Sequence, residues 1–204
     1  MKAVEKIKML IAHESIETVR QGIVLFDVAN IAEYKELLSF VKVDDSGVLH
    51  TVETYPHKEY VALAMLGILQ KRGVLQQKVT KLKDISCPLP PEIQYLTDLR
   101  HLEISPSWDR NQSYVIPEEL CLLPNLCALI CSRNQVVVLP NNIGSLQSLE
   151  KLELQNVHAL PESLTQLQKL QTLTLREDPM LPAGMEKLTS LQKLILELPA
   201  IQCL

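Results

Sequence analysis

The sequence predicts an α/β protein, a short solenoid of stacked repeats with a concave parallel β-sheet, preceded by an α-helical capping domain. Three observations support this fold class. Leu-Pro or Ile-Pro pairs recur at steps of 27, 23, 21 and 21 residues, and they begin at Leu89, Ile116, Leu139, Leu160 and Leu181. A Leu-x-x-Leu-x-Leu motif, in which Ile or Cys sometimes replaces a leucine, recurs between the pairs. Apolar residues nearer the N-terminus instead recur at helical spacing. Self-similarity at a fixed period indicates stacked units.

The first part of the helical region is predicted to contain three helices. Apolar side chains recur every three or four positions over residues 4–11 and again over 15–28, which is typical of amphipathic helices. A third helix is expected to begin at Asn30, because Asn30 and Glu33 have the spacing of a capping box. Its apolar stripe continues to Val41.

A turn and a fourth helix complete this region. Residues 44–47 read Asp-Asp-Ser-Gly, a composition typical of turns. Pro56 suits the first turn of a helix, which is expected to be amphipathic like the other three and to end near Gly73. We therefore divide the chain into a helical capping domain, residues 1–84, and a repeat domain of about five units, residues 85–204.

Each repeat is predicted to contain one short strand. The clearest unit begins at Leu126. Because side chains alternate between the two faces of a strand, Leu129 and Cys131 are expected to point into the core. Ala128 and Ile130 are expected to point to the concave surface. The proline that follows would turn the chain back along the convex side.

Charge and composition exclude several classes of function. Residues 1–84 carry 12 basic and 11 acidic side chains, and the remainder carries 8 and 13, so the repeat region has a net charge of −5. An acidic repeat region argues against a nucleic-acid partner, which requires clustered Lys and Arg. The sequence contains no stretch of 18 or more apolar residues, so it predicts no membrane span.

Cysteine usage indicates the compartment. The chain has five cysteines, an odd number at irregular spacing, which predicts free thiols in a reducing environment. The N-terminus shows no secretory signal pattern, so a cytoplasmic location is expected. The spacing of Cys121, Cys127 and Cys131 does not match zinc knuckles, and no phosphate-binding glycine loop is present. We expect neither a metal nor a cofactor.

The repeat region resembles cytoplasmic leucine-rich-repeat proteins that have a Leu-Pro-x-x-Ile-x-x-Leu return segment. That segment begins at Leu139, with variants that begin at Leu89 and Leu160. The match covers about residues 83–198. The resemblance implies a curved solenoid whose concave strands bind proteins. The asparagine expected in each repeat occurs once, at Asn134.

Two surfaces are candidates for partner binding. The first is the concave stripe, predicted from repeat phase to present His101, Glu103, Ser105, Ala128, Ile130, Ser132, Lys151, Glu153, Gln155, Thr172, Thr174 and Arg176. An ordinary solvated sheet face is the alternative, and an apolar side chain at Ile130 favours a contact surface. The second is an insertion in the first repeat with Trp108, Arg110 and Tyr114, residue types that often anchor interfaces. Alternatively, Trp108 only covers the loop.

These observations predict a non-enzymatic scaffold that binds a partner protein through its concave face. A bacterial effector or signalling adaptor that regulates an enzyme is the alternative. An enzyme housed in the helical domain, using acids such as Asp27, Asp44 and Asp45, is less favoured. Residues after 197 include apolar Leu198 and Ile201. Exposed apolar edges often mark interfaces, so self-association through the C-terminal repeat edge is also expected.

Overall fold

The computed structural model describes residues 3–29, 41–45, 47–51, 57–75, 77–106, 113–132, 136–176 and 179–197. Its helices are α1 (Ala3–Ile11), α2 (Ile16–Val28) and α3 (Lys58–Lys71). They match the first, second and fourth predicted helices. The predicted third helix and Pro56 lie outside the described residues, except for Val41, which is in a strand.

Helix α3 lies at the centre of the helical region. Every residue from 60 to 69 is buried, and a helix that is apolar on all sides is buried on all sides. The prediction of an amphipathic helix was therefore wrong here. One side of α3 packs closely on the repeat segment Pro91–Tyr95, because Gly67 has no side chain to hold the two backbones apart. The helical and repeat regions thus share one hydrophobic core.

A β-hairpin between α2 and α3 was not predicted. Strand β1 (Val41–Val43) pairs with β2 (Leu49–Thr51) in antiparallel register. The Asp44 carboxylate accepts the Val48 N–H at 3.0 Å, and Gly47 has a φ of +89°, a conformation that suits glycine. The Gly47 carbonyl accepts the Lys83 N–H at 2.9 Å, so the hairpin covers the edge of the next strand.

The repeat region contains eight further strands: β3 (Lys81–Ile85), β4 (His101–Ile104), β5 (Tyr114–Val115), β6 (Ala128–Cys131), β7 (Val137–Val138), β8 (Lys151–Leu154), β9 (Thr172–Arg176) and β10 (Lys193–Glu197). Six of them form a parallel sheet in the order β10-β9-β8-β6-β4-β3, and β5 pairs with β7 on the other side of the repeats. The predicted α/β solenoid is confirmed. Strand β3 begins before the predicted repeat start and spans the proposed boundary at 84/85.

Successive strands are locked in register by their backbones. The Arg100 carbonyl accepts the N–H groups of both Cys127 and Ala128. In the same way, the equivalent carbonyl in each repeat, from that of Thr80 to that of Gln171, accepts two consecutive N–H groups of the next repeat. Leu102, Leu129, Leu152 and Leu173 consequently align across the sheet, and all four are fully buried. Short 3-10 segments return the chain on the far side, at Pro91–Tyr95, Glu118–Leu122, Ile143–Ser145, Glu162–Gln166 and Met185–Lys187.

Candidate functional site

The outer side of the six-stranded sheet, here called the open face, consists of three rows of side chains. Strand register places Lys81, His101, Ala128, Lys151, Thr172 and Lys193 in the first row. Glu103, Ile130, Glu153, Thr174 and Ile195 form the second. The third follows at Ser105, Ser132, Gln155, Arg176 and Glu197. The structure thus brings the twelve residues of the predicted concave stripe onto one surface, and their role in binding stays a prediction.

Most of these side chains are half-buried rather than exposed. Strands about 4.8 Å apart pack their side chains against the neighbours on the same face. Ile130 is half-buried between Glu103 and Glu153. Ser105 and Thr174 were predicted as contact positions, yet they are only 7% and 5% exposed. Both side chains are short and almost inaccessible, so neither offers much surface to a partner.

Polar contacts within the open face hold several of its side chains. Lys151 Nζ lies 3.1 Å from a Glu153 carboxylate oxygen, and Arg176 Nε lies 2.8 Å from Glu197. The Ser105 and Ser132 hydroxyls are 2.6 Å apart. Exposed ion pairs add little to stability, but they fix where each charge is presented.

His101 differs from its neighbours in the first row. Burial lowers the pKa of its imidazole, and the positive charge of Lys81 lowers it further. Its Nε2 atom is buried, without a hydrogen-bond partner in the described part of the chain. The structure therefore favours a neutral imidazole at His101.

The His101 pKa leads to a prediction about pH. Because the folded-state pKa lies below 6.5, the usual value for a histidine side chain, the unfolded chain takes up this proton first as the pH falls. The free energy of unfolding should therefore fall as the pH drops from about 6.5 through the folded-state pKa. Urea unfolding at several pH values tests this, together with NMR titration of the imidazole. His101→Gln should flatten the dependence, whereas His158→Gln, at an exposed side chain, should not. An imidazole that titrates above 6.5 would contradict it.

Of the three residues predicted to anchor an interface in the insertion, the structure describes only Tyr114. Trp108 and Arg110 lie outside the described residues. Tyr114, predicted as an interface anchor, is in β5 and only 2% exposed. Its hydroxyl donates to the Cys87 carbonyl at 3.2 Å. A tyrosine that is buried with its hydroxyl paired belongs to the core, so Tyr114 is not available to a partner.

The cysteines in the described residues are not arranged as reactive or metal-binding groups. Cys87, Cys121, Cys127 and Cys131 are free thiols, and burial raises the pKa of Cys121 and Cys131 to about 12, which suppresses the reactive thiolate. Within the same ranges, no cluster of three His, Cys, Asp or Glu side chains is arranged to hold a metal.

Two of the three acids named as candidates in the helical region, Asp27 and Asp44, have partners, and Asp45 forms no ion pair or side-chain hydrogen bond within the described residues. Asp27 pairs with Lys71 at 2.9 Å and with Arg72 at 3.4 Å. Asp44 holds the hairpin turn and lies 2.7 Å from His50. These contacts tie α2 to α3 and close the turn. No helix in the described ranges is long and apolar enough to cross a membrane.

Comparison with known proteins agrees with this architecture. A family model described as a leucine-rich repeat region matches residues 132–200. A solved leucine-rich-repeat protein of Leptospira interrogans is 30% identical with a TM-score of 0.51, over 80% of this chain and 39% of its own. The chain thus spans about two fifths of that protein's length.

A second solved structure is the plant peptide hormone receptor RGFR1 in complex with RGF2, at 22% identity and a TM-score of 0.35, over 77% of this chain and 28% of the receptor. No curated protein sequence gives a significant match. The repeat spacing, the in-register parallel sheet and the family match agree. The chain is a leucine-rich-repeat protein with an N-terminal helical region.

Proposed function

We propose that this protein is a non-enzymatic interaction module that binds a partner protein through the open face of its sheet. The observation that supports this most is the continuity of that face. Five strands in register (β4, β6, β8, β9 and β10) present three rows of side chains, and β3 extends the first row with Lys81. The surface is wide, regular and lined by mixed chemistry, which suits a macromolecule better than a small substrate.

The chemistry of the face favours a partner with an apolar group flanked by basic residues. Ile130 lies between Glu103 and Glu153 in the second row. An apolar side chain between two carboxylates can receive an apolar contact at its centre and cations at its sides. The adjacent first row carries Lys81 and Lys151, which would repel a cation placed too far toward it and so set the register of the partner.

Substitution at Ile130 tests this function. Ile130→Glu adds a third carboxylate at the centre of the face, and we expect partner affinity to fall by about tenfold or more. A photo-reactive residue at position 132 would identify the partner by cross-linking and mass spectrometry. Its dissociation constant would then be measured for each purified variant.

Val138→Glu is the matched control, because Val138 is an exposed β-branched residue in β7, outside the open face. It should leave the affinity unchanged. A partner that binds the Ile130→Glu protein normally, or loses affinity only with Val138→Glu, would place the site elsewhere. Circular dichroism melting of both variants shows whether the fold is retained.

Two further expectations, a cytoplasmic location and self-association through the C-terminal repeat edge, stay proposals. A reducing, cytoplasmic compartment suits a protein whose described cysteines are all free thiols. Self-association through the C-terminal edge is supported by strand β10, where Leu194 and Leu196 are 45% and 47% exposed. Leu198 and Ile201, which also entered that expectation, lie outside the described residues.

A further inference from the structure

A cleft of about 850 Å³ lies where the helical region meets the first repeats. Helix α2 contributes Ile16 and Arg20, and the first turn of α3 with the residue before it contributes 57–60. The other wall is formed by 86–89 and by the prolines that begin the return segments. Junctions between structural units are frequent places for small-molecule sites, and this volume lies within the range of about 300–1,000 Å³ that such sites have.

The walls of this cleft, here called the junction cleft, are mainly apolar. Leu89 and the ring of Tyr60 are buried at its base, and Ile16 is 40% exposed at its rim. Pro88, Pro91 and Pro117 complete the far wall. Proline has no backbone N–H, so this wall offers few hydrogen-bond donors to a ligand. Most of the contact area suits a hydrocarbon or aromatic group.

The polar groups of the junction cleft differ in whether they have partners. The Glu59 carboxylate accepts the Ser86 hydroxyl at 2.6 Å and its N–H at 3.1 Å. His57 Nε2 lies 2.9 Å from the Glu14 carbonyl. The side chains of Arg20 and Lys58 form neither a hydrogen bond nor an ion pair within the described ranges, although the Arg20 charge partly offsets the rise that burial causes in the pKa of the Glu92 carboxyl. The lining groups left to meet a ligand are therefore these two cations and the Tyr60 hydroxyl.

The positive charge of Arg20 acts on Tyr60, which lines the cleft. Burial raises the pKa of the Tyr60 hydroxyl, and the Arg20 guanidinium partly offsets that rise. Burial raises the pKa of the Cys87 thiol, which disfavours the reactive thiolate.

We propose that the junction cleft binds a small amphipathic carboxylate, with its apolar body against Leu89 and the three prolines and its carboxylate at Arg20. The apolar wall favours an apolar body for the ligand, and Arg20 and Lys58, whose side chains form no ion pair in the described ranges, favour a negatively charged end. This site is separate from the open face and does not depend on the proposed partner.

Calorimetric titration of the full chain with decanoate, below its micelle concentration, tests the proposal. Decyltrimethylammonium has the same alkyl chain and the opposite charge. We expect decanoate to bind more tightly than this cation, and Arg20→Gln to weaken decanoate binding about five- to tenfold. Arg100→Gln is the control, because Arg100 is an exposed arginine outside the cleft. It should change nothing.

Variants at the rim give a second, independent readout. Ile16→Glu should lower decanoate affinity and Ile16→Lys should not, because only the first places a like charge beside the ligand. Val24→Glu controls for the added charge, since Val24 is exposed on the same helix but does not line this cleft. Absence of decanoate binding would overturn the proposal. Equal affinities for the two amphiphiles, or equal effects of the Arg20 and Arg100 substitutions, would overturn it as well.

Discussion

Replacing Gly67 with alanine is expected to lower the free energy of unfolding by about 3 kcal/mol or more, because the added methyl overpacks a rigid contact. An alanine Cβ at this position would overlap the Glu92 carbonyl oxygen. That atom belongs to the backbone of the segment Pro91–Tyr95 and has no rotamer by which to move away. Helix α3 and the first return segment would have to separate. Urea unfolding followed by circular dichroism measures the change.

Gly22→Ala is the matched control for helix propensity, since both glycines lie inside helices. A Cβ at Gly22 would meet Ile11 Cγ2 at 2.8 Å, Leu10 Cβ at 2.9 Å and the Ile11 backbone nitrogen at 3.1 Å, a smaller overlap than the one at Gly67. We expect a smaller loss there, because alanine also gains up to about 1 kcal/mol over glycine in a helix. If Gly67→Ala stabilised the protein, α3 would not pack on the repeats as described.

Leu152→Ala is expected to destabilise the protein by about 2–5 kcal/mol, through lost burial and the cavity that remains. Leu152 is fully buried at the middle of the sheet, in register with Leu129 and Leu173. Backbone contacts hold these strands on both sides, so the site has little room to collapse. Thermal and urea unfolding of the variant give the difference.

Leu194→Ala makes the same change in the same row of the sheet, where Leu194 aligns with Leu173 but is 45% exposed. Its effect should be less than half as large, since less apolar surface is removed from the core. An equally large effect at Leu194 would mean that the edge beyond β10 is covered in solution. Leu122→Ala, at an exposed leucine of a return segment, should have almost no effect.

The repeat architecture was predictable because its signal is periodic. Each strand repeats an alternation of buried and outward side chains, so the position of Leu129 or Ile130 follows from the phase alone. Strand β3 has the same alternation, with Leu82 aligned to Leu102. The repeat motif is degenerate in β3, and the strand has a register shift around Asp84, whose φ is 55°. The start of the repeat region was therefore predicted too late.

Other features depend on contacts that a single segment does not encode. The strands β1 and β2 have three residues each, too few for a period, and Val41 continued an apolar stripe that favoured a helix. The burial of Tyr114 depends on the Cys87 carbonyl, 27 positions away. The junction cleft combines α2, the start of α3 and two return segments. No local motif marks such a site, although the run Cys87-Pro88-Leu89-Pro90-Pro91 contributes most of one wall.

The hairpin that covers β3 limits how copies of this protein can assemble. The Gly47 carbonyl occupies the Lys83 N–H, and Val48 bridges the same strand, so a second chain cannot extend the sheet there. Among the described strands of that sheet, β10 has the free edge. Two copies that pair through β10 must therefore meet across a twofold axis, with their strands antiparallel. Such a pairing uses both free edges at once, so assembly by this route ends at a closed dimer instead of growing into a filament.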